Sequence, residues 1–299
     1  MDQHRPDPFD LSDSGPYQEW RSMKLSRWPA DLGQLRVRVA RLAEPTAEEL
    51  RAISAAVARA NLALISCLDP VANTADLLAF GRRLGLERLD TNLCADDQAV
   101  SAIAVRPAGT TADYIPYTDR PLSWHTDGYY NPADRQVRAW MLFCVRDAAL
   151  GGENALLDPE LAYVALRDED PALVRALMAP DAMTVPANRS GGQELRAAST
   201  GPVFSVIGGR LHMRYSARTR NIVWRPDPLL EAARARLSAL LSQRCDYMFH
   251  HKLRPGEGYV SNNVLHNRAG FTDPTGAGRL LLRTRYLDPI SVLPHPANG

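Results

Sequence analysis

The sequence predicts an α+β fold that is mainly β: a jelly-roll-like core with flanking helices. Three observations carry this. Beyond residue 100, short apolar runs recur between turn signals, at 100–105, 136–145, 203–207, 211–215, 247–253, 258–260 and 280–286, which is the texture of a domain built from many short strands. Gly208-Gly209 stands between two of these runs and supplies the two positive-φ positions that a type I′ hairpin turn needs. Helical segments are few, and several carry their own start signal.

In chain order, residues 1–30 read as an irregular N-terminal lead-in, with Pro6, Pro8, Pro16 and Pro29 scattered through it, and residues 31–299 as one domain. Residues 35–40 alternate apolar and basic side chains, as a half-exposed strand does. Thr46, followed three residues later by Glu49, has the spacing of a capping box and opens a helix. Residues 62–68 suit a buried strand, and 74–84 an amphipathic helix stopped by Gly85. One helix is expected over about 159–178, and another from Asp227-Pro228, an N-cap followed by proline at N1, to about 243. The Arg254-Pro255-Gly256-Glu257-Gly258 segment is a tight turn. There is no internal repeat.

Composition narrows the function. The 299 residues are 45% hydrophobic and 23% charged, enough apolar material for one large core. A net charge of +1 gives no global pull toward nucleic acid or an anionic membrane. Cys67, Cys94, Cys144 and Cys245 form no C-x-x-C pair, which leaves zinc-ribbon and thioredoxin-like readings without support. Cys67 and Cys144 lie in apolar runs, where a free cysteine behaves as a small hydrophobe. The polar N-terminus lacks the apolar stretch of a signal peptide, and no run approaches the roughly 20 residues of a membrane helix. The expectation is a cytoplasmic protein whose partner is a small molecule, with homo-oligomerisation left open.

The chemistry-bearing pattern lies among the histidines. His4 and His295 fall in the tails, His250-His251 reads as a strand-end pair and His212 as a hairpin residue. His125 and Asp127, in Trp124-His125-Thr126-Asp127-Gly128, are two apart, so in extended chain they share a face and can meet one ion. His266 ends the apolar run Asn263-Val264-Leu265 far downstream and is the candidate third ligand. Two histidines and one carboxylate leave adjacent coordination positions open, the arrangement of non-haem iron(II) oxygenases. Arg279 and Arg283, four apart on the next strand, share a face and suit a dicarboxylate.

These segments resemble the taurine dioxygenase / 2,4-D dioxygenase-like superfamily over about residues 60–290. WHTDGYYNPADRQVRAWMLFCV is similar to its first metal segment and following strand. GGENALLD, residues 151–158, resembles its Gly-Gly-acid segment, and GEGYVSNNVLHNRAGFTD running into GRLLLRTRYLD its distal-histidine and arginine strands. The resemblance implies a double-stranded β-helix fold, Fe(II), 2-oxoglutarate as cosubstrate, and O2. By position it assigns His125, Asp127 and His266 to the metal. Arg279 would take the distal carboxylate of 2-oxoglutarate, and Arg283 a place near its other end. Asn154, where taurine dioxygenase-like members have threonine, is similar to the γ-butyrobetaine hydroxylase branch, in which an asparagine contacts the cosubstrate. The implied reaction is oxidation, as a rule hydroxylation, of a substrate C–H bond with release of succinate and CO2. An intact Asp127 argues against a halogenase.

A zinc hydrolase would use the same ligands but leaves Arg279 and Arg283 without a task. A catalytically inactive β-barrel binding module would be expected to have lost a ligand. For the substrate, Tyr129, Tyr130 and Asn131 follow the metal segment, and Arg214, Arg218 and Arg220 lie in a segment that by resemblance faces the pocket. The tyrosines suit a caged quaternary ammonium and the arginines an anion. A basic cluster in a neutral chain favours a small anionic or zwitterionic substrate, held by one or more of Arg214, Arg218 and Arg220.

Overall fold

The computed structural model describes residues 7–68, 73–91, 99–105, 114–220, 222–273 and 278–290. Cys94, His4 and His295 lie outside these. A six-stranded sheet runs in the order Arg36–Val39, Leu62–Cys67, Glu257–Ser261, Ala139–Arg146, Leu280–Tyr286, Ser101–Ile103. A four-stranded sheet has the order Met248–His251, Asn154–Leu157, Leu265–Arg268, Leu122–His125. One apolar core joins them, with Trp140, Phe143 and Tyr259 from the large sheet against Leu156 and Phe249 from the small one. This is the expected jelly-roll.

The first two strands pair in parallel, Arg36 opposite Leu64. Parallel neighbours need a crossover, and the helix Ala47–Ala60 provides it. Its capping box is complete, Thr46 and Glu49 each accepting the other's backbone N–H, and Asn61 ends it in the left-handed region. The Gly208-Gly209 hairpin also forms, with Ile207 paired to Arg210 and both glycines at positive φ.

Three expectations need correction. The lead-in is not irregular throughout: Ser14–Ser26 is an α-helix capped by the Asp13 side chain. Pro16 is tolerated in a first turn, where its missing N–H would be unpaired anyway. Burial holds the helix: Tyr17 packs beside Tyr163 and bonds Asp168 at 2.7 Å, and Lys24 bridges Asp158 and Glu160, both at 2.6 Å. The helix expected over 159–178 is two, Pro159–Glu169 and Pro171–Leu177, because Asp170 closes the first and caps the second around Pro171. These helices, Pro228–Ser242 and the lead-in helix form a second apolar cluster against the small sheet. Third, Cys67 is half-buried rather than buried, while Cys144 is buried as expected. Among the described residues no helix is long and apolar enough to cross a membrane.

Candidate active site

The strand Leu265–Arg268 lies against Leu122–His125 in antiparallel register, with His266 directly opposite His125. That single rung brings the two distant imidazoles together, their ring centroids 4.3 Å apart. Asp127, two residues past His125, completes a buried group whose ligand atoms lie within 4.8 Å of one another. Both rings are oriented the same way. His125 Nδ1 bonds the Ser123 carbonyl at 2.9 Å and His266 Nδ1 the Val264 carbonyl at 3.0 Å, which leaves each Nε2 for the shared centre. Burial, together with neighbouring His125, pushes His266 down to about 3, so its imidazole is neutral. Burial alone would raise the Asp127 carboxyl, but the Arg283 guanidinium at 3.2 Å holds it well below the usual carboxylate range.

A clamp on Asp127 was not legible in the sequence. Asn263, buried and at φ +53°, accepts the Asp127 N–H at 2.8 Å and donates to the carbonyls of Asp127 (3.0 Å) and Val137 (2.7 Å). Asparagine tolerates this backbone region better than other side-chain-bearing residues. Gly128 turns the chain away at φ +67°, where a Cβ would stand 2.4 Å from Val137 Cγ2. The loop therefore admits only glycine there.

Two hollows meet at this group. A narrow pocket behind it is lined by Asp127, His266, Asn154, Arg279, Arg283, Arg268, Trp140 and a few apolar side chains. Asp127 Oδ2, Trp140 Nε1, Asn154 Oδ1, Arg268 Nε and Arg283 Nε are buried there without a hydrogen-bond partner. Such groups cost roughly 1–3 kcal/mol each when left unpaired. Arg279 is buried without a salt-bridge partner among the described residues; the Phe271 ring is 5.1 Å away, and burial lowers the guanidinium to about 10 against the opposing pull of Cys144 and Asp273. Asn154 spends an amide hydrogen on the Asn267 carbonyl at 2.8 Å.

In front lies a cavity of about 770 Å³, which His125, Asp127 and Arg283 also border. Tyr129, Tyr130, Asn131 and Arg218 are among its lining residues. Asn131, however, spends its amide on Asp90 and the Arg135 carbonyl, both at 2.9 Å. Arg214 is a correction: it is buried away from the cavity, its guanidinium donating to the carbonyls of Met183, Gly201 and Ser199. Arg220 is exposed and outside the lining. Arg285 pairs with Asp90 at 2.5 Å and bonds the Tyr130 hydroxyl at 2.7 Å, so it serves the cavity wall.

One wall was unforeseen. Asn188–Ser190 and Gln193–Arg196 form a hairpin that contributes Asn188, Leu195 and Arg196 to the lining. Its Gly191-Gly192 turn carries the same signal as Gly208-Gly209, but its strands lack apolar alternation.

Two sequence relatives are named uridine-5'-phosphate dioxygenase. One, from Amycolatopsis sp., is 30% identical over 171 residues, 55% of this chain and 60% of that enzyme. The match thus spans less than two thirds of its length. The other, from Streptomyces sp., is 29% identical over 201 residues, 65% of this chain and 72% of its own. The fold is similar to that of asparagine oxygenase solved with Fe(II), 2S,3S-3-hydroxyasparagine and succinate, at TM-score 0.58 and 17% identity over 95% of this chain and 86% of that one. It is also similar to a taurine dioxygenase from Burkholderia xenovorans, at TM-score 0.56 and 19% identity over 87% and 89% of the two chains. Residues 23–285 match the family described as taurine catabolism dioxygenase TauD, TfdA, so the similarity reaches further toward the N-terminus than the motifs alone indicated, and the chain belongs to that family.

Proposed function

We propose that this protein is an Fe(II)- and 2-oxoglutarate-dependent dioxygenase that oxidises a C–H bond of a small anionic molecule, with His125, Asp127 and His266 holding the metal. The observation that carries this is the coincidence of an open two-histidine, one-carboxylate group with a pocket of unpaired buried polar atoms and a buried Arg279 that makes no salt bridge among the described residues. A metal and a dicarboxylate would meet those needs together. A zinc hydrolase would leave the pocket behind Asp127 unexplained.

Fe(II), 2-oxoglutarate and O2 supply the oxidising power, with succinate and CO2 released. The chain's own residues do the rest. Ser123 and Val264 carbonyls fix the imidazole tautomers. Arg283 keeps Asp127 ionised. Arg279 would hold the distal carboxylate of 2-oxoglutarate in this pocket, with Asn154 and Arg283 lining it beside the metal group. Trp140, Leu142 and Ile103 exclude water from that pocket. In the front cavity Tyr129, Tyr130 and Arg218 border the substrate, with Asn131 supporting the wall.

The charge of the cavity favours an anion over a caged cation, because Arg196 already stands 5.5 Å from the Tyr130 ring and Arg285 bonds its hydroxyl. The relatives' names make a nucleoside 5'-phosphate the first compound to try. The test is iron-dependent succinate formation from 2-oxoglutarate with a panel of nucleotides, small acids and betaines. Stimulation by an anionic member supports the reading. Stimulation by betaines alone would replace it with the cationic substrate.

A further inference from the structure

The arginines of the front cavity outnumber its carboxylates. Asp90 and Asp127 are the acidic residues among the described lining, and each is already matched, Asp90 to Arg285 and Asp127 to Arg283. Arg135, Arg196 and Arg218 have no carboxylate partner among the described residues. Arg135 and Arg218 are exposed at the mouth, and exposed arginines alone would say little. Arg196 differs. It is half-buried under the hairpin and donates only to neutral acceptors, the carbonyls of Pro186 (2.7 Å), Ala197 (2.8 Å) and Tyr130 (3.3 Å). Burial works against its charge, while Tyr129, Tyr130 and Tyr114 lie close enough to favour it. The three carbonyls fix the guanidinium without neutralising it, and Nε and one Nη2 hydrogen have no assigned acceptor.

We infer that Arg196, with Arg218 of the same lining, forms a receptor for a phosphomonoester dianion, and that this receptor sets substrate choice. The inference rests on the proposal above that the substrate is a small anion, and it adds the residues that take the anionic group. Arg196 and Arg218 together supply two guanidinium charges to the lining, which suit a dianion better than a single carboxylate. The metal-side charges do not supply it, because Asp127 and Arg283 are matched to each other and Arg279 lines the narrow pocket rather than this cavity. Arg196 ends the hairpin strand Gln193–Arg196, a different segment of the same lining from His125 and Asp127, so the receptor holds the substrate's anionic end while another part reaches His125 and Asp127.

The test uses the full chain loaded with Fe(II) and 2-oxoglutarate. Binding of inorganic phosphate and of uridine 5'-phosphate is measured anaerobically by calorimetry, and kcat and KM are measured for uridine 5'-phosphate and uridine by succinate formation. Wild type is expected to bind both phosphate probes and to prefer the phosphomonoester to the nucleoside. Arg196→Met should weaken binding of both probes and raise KM by roughly tenfold to a hundredfold, the range of a lost charge-assisted hydrogen bond. 2-Oxoglutarate affinity should stay near wild type, Arg196→Lys should recover part of the loss, and Arg218→Met should show a smaller loss. A melting temperature within a few degrees of wild type separates charge loss from collapse of the hairpin. Phosphate binding without nucleotide turnover would sink the nucleoside and keep the receptor. Absence of phosphate binding in wild type, or full binding by the Arg196→Met/Arg218→Met double variant, would overturn the receptor.

Discussion

The narrow pocket behind Asp127 and the wide cavity in front of it share a wall but differ in construction. The pocket is made largely from strand residues: Asn154, Trp140, His266, Arg279 and Arg283 all lie on or beside strands of the two packed sheets. Its polar atoms are buried and unpaired, so the rigid sheets hold open a set of needs. The cavity is made largely from loops and from the 188–196 hairpin, and its polar groups are either committed to wall contacts, as Arg285 and Asn131 are, or exposed, as Arg218 is. A centre that must present the same cosubstrate atoms each time gains from strand-borne side chains. A surface that selects one substrate among many can be rebuilt on loops without disturbing the sheets.

The largest effect should come from breaking the pocket's charge. Arg279→Ala is expected to cost about 3–5 kcal/mol of 2-oxoglutarate binding, the scale for removing one partner of a desolvated ion pair. Arg283→Ala should cost less, since Arg283 also faces Asp127 and borders the open cavity. Arg285→Ala should leave cosubstrate affinity near wild type and lower the melting temperature, because it strands Asp90. Titrating 2-oxoglutarate into the three variants checks the order, and a dominant loss in Arg283→Ala or Arg285→Ala would put the distal carboxylate elsewhere on this strand.

On the cavity side, Arg214→Met should cost about 1–3 kcal/mol of stability, since the carbonyls of Met183, Gly201 and Ser199 lose their donor in a buried setting. Thermal unfolding measures this. KM for the substrate should not move, and a rise in KM at unchanged stability would return Arg214 to the substrate.

A smaller effect is expected from the clamp behind the metal carboxylate. Asn263→Ala should weaken metal affinity roughly tenfold to a hundredfold, as loss of a group that orients a ligand does. Anaerobic titration with Co(II) reads this without turnover. An unchanged affinity would mean that Gly128 and the neighbouring strands fix Asp127 unaided.

What could be read from the sequence follows the same division. The grouping of His125, Asp127 and His266 was legible because period-two geometry puts His125 and Asp127 on one face, and a strand-end histidine followed by an arginine strand completes the pattern. The sheets and the Gly208-Gly209 turn were legible from apolar alternation and glycine pairing. The Ser14–Ser26 helix was not, because what holds it is the burial of Tyr17 and Lys24 against distant residues rather than local periodicity. Arg214 was misread because sequence gives a charge but not its direction, and here the side chain turns into backbone carbonyls. Asn263 gave no signal beyond its tolerance of the left-handed region, since both chain segments it joins are far from it in sequence.

The most direct test of the account is the visible charge-transfer band that forms when Fe(II) and 2-oxoglutarate bind together without oxygen. Wild-type protein should develop a weak band at one Fe(II) per chain. The His125→Ala, Asp127→Ala and His266→Ala variants, shown to be folded by their unfolding transitions, should each lose it. A full-strength band in His266→Ala would remove the distal ligand, and no band in wild type would contradict the metal and cosubstrate assignment as a whole.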